Sequence, residues 1–107
     1  MDTLFRLNGK VAIVTGGNSG IGEGIAHGFA MAGAAVVVAA RDQKKTARVT
    51  EEIKQKYGVP TLGIQTDVSN ESSIKAMSQE TLSAFSRIDI LVNNAGVNIR
   101  KPPQDFS

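Results

Sequence analysis

Val14-Thr15-Gly16-Gly17-Asn18-Ser19-Gly20-Ile21-Gly22 is the stretch that decides the fold of this chain. Upstream of it, Lys10-Val11-Ala12-Ile13-Val14-Thr15 is a short β-branched run of the kind buried on both faces of a sheet. The glycines must end that strand, because no regular element continues through so many. Downstream, a helix is expected from about Ser19 to Met31. Ile21, Ile25 and Phe29 share one face of it, and Gly33 supplies a stop. The opening unit is therefore strand, glycine turn, helix.

The same alternation continues. Ala35 to Ala40 reads as a second buried strand. Asp42 fits an N-cap, Val49, Ile53 and Tyr57 form an apolar stripe, and Gly58-Val59-Pro60 ends that helix. Thr61 to Gln65 is a third strand. Asn70 caps a third helix carrying Ile74, Met77, Leu82 and Phe85, and Ile88 to Val92 is a fourth strand. Asn93-Asn94-Ala95-Gly96 follows, and Val97 to Ser107, with Pro102-Pro103, reads as a loop. The order is β-α-β-α-β-α-β. Strands separated by helices pair in parallel, so the fold class is α/β, a Rossmann-like doubly wound parallel sheet. It is expected to be incomplete, with the first four strands only. The fourth strand is apolar on both faces, with nothing in the chain to cover its far edge. Such an edge is an association site.

Composition narrows the function classes. With 107 residues the chain is one domain or less. Its 41% hydrophobic and 21% charged residues suit a folded globular chain. No run of about 18 apolar residues occurs, so a membrane partner is not expected. Net charge is +2 without a block of like charge, so no nucleic-acid partner is expected either. There are no cysteines, and Met1 to Arg6 lacks the pattern of a secretory signal, which together suit a cytoplasmic location. The single His27 leaves metal chemistry little to work with.

Between a buried strand and a helix, the glycine spacing has a specific use. Gly16 permits a tight exit from the strand, Gly20 lets a pyrophosphate approach the backbone, and Gly22 lets the helix lie close to the sheet. The first free N–H groups of the helix then face the anion. Glycine-rich turns also occur without a ligand, but this context is that of a dinucleotide site. A Walker loop would need Gly-Lys-Ser/Thr at its end, where Gly20-Ile21-Gly22 stands. A methyltransferase loop typically follows an acidic residue at the strand's end, where Val14-Thr15 stands.

About 20 positions beyond the glycines, an acid would bond the adenosine ribose 2′-hydroxyl and select NAD, whereas an arginine accommodates a 2′-phosphate and selects NADP. Here Ala40 is followed by Arg41. Asn18 and Ser19 offer further neutral donors. NADP is therefore the expected cofactor, with NAD second. The alternative is that Arg41 is a solvated loop residue paired with Asp42.

With this loop, Asp67-Val68 after the third strand, Asn93-Asn94-Ala95-Gly96 after the fourth, and the entry Leu7-Asn8-Gly9-Lys10-Val11-Ala12, the chain resembles the short-chain dehydrogenase/reductase family. The resemblance runs from about Leu7 to Ser107. It implies an oxidoreductase passing hydride between a nicotinamide and the carbonyl or secondary alcohol carbon of a small molecule. It implies that Asp67 bonds the adenine amino group, that Val68 touches adenine through its backbone, and that Asn94, Ala95 and Gly96 lie along the ribose and nicotinamide. The expected cofactor-binding residues are thus Gly16, Asn18, Ser19, Gly20, Ile21, Gly22, Arg41, Asp67, Val68, Asn94, Ala95 and Gly96.

The family's proton relay resembles a Ser, Tyr and Lys set with Tyr-x-x-x-Lys on one helix, the lysine lowering the tyrosine's pKa. The only tyrosine, Tyr57, is followed by Gly58-Val59-Pro60-Thr61 and does not match. No catalytic residue is therefore assigned. The chain is expected to be an NAD(P)-binding half-domain from a longer single-domain enzyme, completed by a C-terminal half or joined in a homo-oligomer. The alternative is a non-catalytic truncated nucleotide-binding or interaction module. Asn98-Ile99-Arg100-Lys101-Pro102-Pro103 resembles the substrate-mouth loop of gluconate 5-dehydrogenase-type members. There Arg100 and Lys101 would attract an anionic substrate or simply be solvated.

Overall fold

Four parallel strands lie in the order β3-β2-β1-β4 in the computed structural model, which describes residues 6–18 and 20–94. The strands are β1 (Val11–Thr15), β2 (Ala35–Ala40), β3 (Thr61–Gln65) and β4 (Ile90–Asn93). They alternate with α1 (Gly20–Met31), α2 (Gln43–Tyr57) and α3 (Glu71–Phe85). This is the Rossmann-like α/β arrangement read from the sequence. The registers Thr15↔Ala39, Ala40↔Gln65 and Thr15↔Asn93 bring all four C-terminal strand ends to one edge of the sheet.

Alternation along the central strands divides the core. Val14, Val36 and Val38 face Ala26 and Ala30 of α1 and Val49 and Ile53 of α2. Ile13, Val37 and Ala39 face the other way, onto Met77, with Phe85 and Ile88 packed alongside. So α1 and α2 cover one face and α3 the other. Both central strands are buried along their whole length, as a sheet covered on both faces requires.

The helix ends follow capping chemistry. The Asp42 side chain accepts from the Lys45 N–H at 3.0 Å, and the Asn70 side chain accepts from the Ser73 N–H at 3.0 Å. Gly58 closes α2 at φ +73°. Ser86 closes α3 at φ +69°, a conformation that glycine adopts more cheaply.

Three expectations about faces and bounds need correction. On α1 the fully buried residues are Gly22, Ala26 and Ala30, while Ile21 is 78% exposed. The helix approaches the sheet too closely for bulky side chains, so small ones face it and Ile25 and Phe29 pack from the flank. On α3 the buried residues are Met77 and Thr81, and Ile74 and Leu82 stay exposed. The fourth strand starts two residues later than expected, at Ile90, because Asp89 is used at its entry. There Asp89 Oδ2 accepts from the Val11 N–H at 2.8 Å, and the Asp89 N–H donates to the Val11 carbonyl at 2.9 Å. β4 stands at one end of the strand order, and its Leu91 is 57% exposed.

Candidate functional site

The C-terminal edge of the sheet carries a cleft of about 290 Å³ lined by Gly16, Asn18, Ala39, Ala40, Arg41, Asp42, Lys45, Thr66 and Val68. Chain reversals after β1, β2 and β3 build it. The Gly16 N–H donates to the Ala39 carbonyl at 2.8 Å, and the Thr66 N–H to the Ala40 carbonyl at 2.8 Å, so the three exits are tied side by side.

The glycine turn has the backbone its sequence requires. Gly16 sits at φ +67° and Gly20 at φ +57°, both in the left-handed region that disfavours other residues. A Cβ on Gly22 would overlap the Gly16 carbonyl oxygen and lie 2.6 Å from Asn94 Nδ2, so only glycine lets α1 start this close to the turn. A Cβ on Gly20 would meet nothing within 4 Å, so the space in front of the first helical turn is open. An open approach to free helix N–H groups suits an anionic group such as a diphosphate.

Side chains hold the turn from both sides. Asn94 Nδ2 donates to the Gly16 carbonyl at 3.4 Å from the end of β4. Asn18 is buried, and its Nδ2 donates to Thr46 Oγ1 of α2 at 3.3 Å. Asn18 therefore pins the turn to α2 as well as lining the cleft. Thr46 was not singled out by sequence. It lies 28 residues from Asn18, and nothing local in the chain marks the pairing.

Arg41 and Asp67 meet across the cleft mouth, with Arg41 Nη2 3.7 Å from Asp67 Oδ2. Arg41 thus pairs with Asp67, and the expected alternative partner, Asp42, instead caps α2. The Ser69 hydroxyl and then its backbone N–H bond Asp67 Oδ1, at 2.6 and 3.0 Å. These bonds, with the Arg41 charge a lesser cause, hold the Asp67 carboxyl below its ordinary value. Oδ1 is committed to Ser69, and Oδ2 faces the mouth. Val68 lines this cleft and also another of about 170 Å³ with Thr15, Ile74, Met77, Leu91 and Asn93.

Gly16, Asn18, Arg41 and Val68 are brought together in one cleft, with Asp67 at its mouth and Gly20, Gly22 and Asn94 around the turn. Ile21 is exposed at the start of α1. The expected cofactor contacts of Ser19, Ala95 and Gly96, and the 98–103 loop, lie outside the described residues. Lys45 also lines the cleft and is half-buried, although Gln43 and Lys44 beside it are exposed.

His27 does what a packing residue does. Its Nδ1 lies 2.8 Å from the Tyr57 hydroxyl and joins α1 to α2. Tyr57 is thereby part of a helix–helix contact. Among the described residues, Glu23, His27 and Glu52 bring candidate metal-ligand atoms within 4.8 Å of one another on this outer face. Arg48 already lies 3.7 Å from Glu52. Among the described residues, no helix is long and apolar enough to cross a membrane.

Comparison with known proteins points one way. A short chain dehydrogenase family profile matches residues 10–107. A 3-oxoacyl-[acyl-carrier-protein] reductase of Aquifex aeolicus is 41% identical over 93 residues, covering 87% of this chain and 38% of that protein. The short chain dehydrogenase/reductase astE of Aspergillus oryzae is 46% identical over 94 residues, covering 88% and 36%. Among solved structures, L-sorbose reductase from Gluconobacter frateurii, complexed with NADPH and L-sorbose, superposes with a TM-score of 0.85 at 38% identity. That match covers 94% of this chain and 38% of the reductase. The chain thus spans between about a third and two fifths of the length of the relatives it matches.

Proposed function

The chain belongs to the short-chain dehydrogenase family, and from that premise we propose that it is the cofactor-binding part of an NADP(H)-dependent oxidoreductase. On this reading residues 1–107 are one NAD(P)-binding Rossmann half-domain of a longer single-domain enzyme. The substrate is a small carbonyl compound or secondary alcohol. The gluconate 5-dehydrogenase-type loop at 98–103 belongs to this proposal as the part that meets a small polar substrate.

The observation that carries the reading is the cleft at the strand ends, with Arg41 at its mouth and Ala40, not an acid, beside it. A ribose 2′-phosphate needs cationic donors and the absence of a carboxylate at that position. L-Sorbose reductase, complexed with NADPH, supports the same cofactor class. The residues fit a dinucleotide. Gly20 leaves the first turn of α1 open, and the N–H groups there bind the diphosphate. Arg41 takes the 2′-phosphate through paired N–H donors. Asp67 Oδ2, the oxygen that Ser69 does not use, accepts from the adenine amino group, and Val68 touches the adenine through its backbone. Asn94 fixes the turn and, with Ala95 and Gly96, borders the nicotinamide ribose. When bound, the nicotinamide supplies the hydride chemistry, and this chain supplies binding and orientation. The proton relay belongs to residues outside these 107.

Ala40→Asp combined with Arg41→Ala tests the reading. Titrated with NADPH and NADH, the double variant is expected to lose NADPH affinity and gain NADH affinity. An unchanged preference would refute the cofactor assignment. The exposed Leu91 on the outermost strand favours a second reading beside the first, a module that pairs through β4 with another copy or another chain. NADPH oxidation with a panel of ketones separates the two, because only the enzyme reading requires turnover from the completed molecule.

A further inference from the structure

We infer that Lys45 is a second cation for the ribose 2′-phosphate and, with Arg41, sets the preference for the phosphorylated cofactor. This rests on the NADP(H) reading of the cleft and extends it to a residue outside the glycine turn and the strand ends.

Among the described residues, three charged ones line the cleft: Arg41, Asp42 and Lys45. The Asp42 carboxylate faces the helix start, where its Oδ1 accepts from the Lys45 N–H at 3.0 Å. It is therefore held at the cap by the backbone and the helix dipole. Arg41 is 78% exposed at its side chain and leans toward β3, with Nη2 3.7 Å from Asp67 Oδ2. It also lines a neighbouring cleft with Gln65, Thr66, Asp67 and Ser73. Arg41 is thus shared between two hollows and already has a counter-charge.

Lys45 differs on each point. It is half-buried, whereas Gln43 and Lys44 before it are exposed. Among the described residues no carboxylate lies within ion-pair distance of its ammonium. It comes from the α2 side, opposite the β3 side to which Arg41 leans. Its position is fixed by two neighbours: the Asp42 cap on its own N–H, and Thr46, buried and bonded to Asn18 of the glycine turn. A dianionic phosphate between the end of β2 and the start of α2 would meet one cation from each side. An ammonium serves a phosphate as a compact point charge, where the guanidinium offers a planar fork. Arg41 moving onto that phosphate would also leave Asp67 Oδ2 free for the adenine amino group.

The test is calorimetric titration of the chain with 2′,5′-ADP and with 5′-AMP, using wild type, Lys45→Gln and Lys44→Gln. Neither ligand needs the nicotinamide side of the site. Wild type is expected to prefer 2′,5′-ADP. Lys45→Gln is expected to lose roughly tenfold or more in 2′,5′-ADP affinity, as for a charge-assisted contact, with 5′-AMP binding unchanged. Its salt dependence for 2′,5′-ADP should be shallower than that of wild type, and Lys44→Gln should match wild type. A Lys45→Gln variant that binds 2′,5′-ADP as wild type does, or loses both ligands equally, overturns the Lys45 assignment alone. Equal binding of the two ligands by wild type, or binding of neither, overturns the NADP(H) reading and this inference with it.

Discussion

Replacing Gly22 with alanine adds one methyl group where α1 leaves the glycine turn, and the structure fixes what that group meets. Its Cβ would overlap the Gly16 carbonyl oxygen and sit 2.6 Å from Asn94 Nδ2 and 2.8 Å from the Gly16 carbonyl carbon. Favourable separations for such pairs are about 3.5–4.0 Å, so the helix start must retreat by roughly 1 Å. Asn94 can rotate away, but the Gly16 backbone cannot, because its N–H is held by the Ala39 carbonyl at 2.8 Å. Overpacking costs about 1–3 kcal/mol where side chains can yield, and the upper end or more is expected against backbone. With a urea slope of about 1.5 kcal/mol/M, a loss of about 3 kcal/mol lowers the unfolding midpoint by roughly 2 M. Gly24→Ala and Gly28→Ala are the matched controls on the same helix. A Cβ at either position meets nothing within 4 Å, so helix propensity alone acts. Each is expected to raise stability by about 0.8–1.0 kcal/mol. Urea unfolding followed by circular dichroism reads all three. A Gly22→Ala midpoint equal to wild type, or a Gly24→Ala loss as large as that of Gly22→Ala, would refute the close-approach argument.

Further outcomes follow from single contacts. Ser86→Gly should stabilise by about 1 kcal/mol in the same unfolding assay, because Ser86 ends α3 at φ +69°. Tyr57→Phe should cost about 0.5–1.5 kcal/mol by removing the 2.8 Å contact to His27 Nδ1, and no loss would mean that contact contributes nothing to the α1–α2 packing. Asp89 is held below its ordinary pKa, first by the Arg87 side chain and then by the Val11 N–H. Its folded value lies below its unfolded one, so its stabilisation is full at neutral pH and is lost as pH falls below about 4. Wild type should therefore exceed Asp89→Asn in stability at pH 7 and converge with it in acid, and a constant gap across pH would contradict this. Leu91→Lys should reduce self-association in sedimentation velocity, since Leu91 is an exposed apolar side chain on the edge strand β4.

Most of the fold could be read from the chain because its signals are local. Asp42 and Asn70 announce the helix starts, Gly58 announces a stop, and the runs at Ala35–Ala40 and Thr61–Gln65 are bounded by turn residues. The buried stripe of α1 was not legible, because hydrophobic periodicity favours Ile21 and Ile25 whereas the governing constraint is distance to the sheet. That constraint resides in Gly22, Ala26 and Ala30, whose merit is their small size. The start of β4 was displaced for a similar reason. Ile88 is apolar enough to be a strand residue, but the reciprocal bonds between Asp89 and Val11 set where pairing begins. At the site, glycine spacing and the Ala40-Arg41 pair were visible in sequence. The link from Asn18 to Thr46 and the half-burial of Lys45 depend on how α2 docks beside the turn, which no local pattern encodes.

Hydrogen–deuterium exchange of the chain with and without saturating NADPH tests the central claim most directly. Slowed exchange is predicted in the peptides spanning 16–24 and 40–46, with NADH giving weaker protection at 40–46. Protection confined to other segments, or none in either peptide while NADPH is bound, would contradict the account.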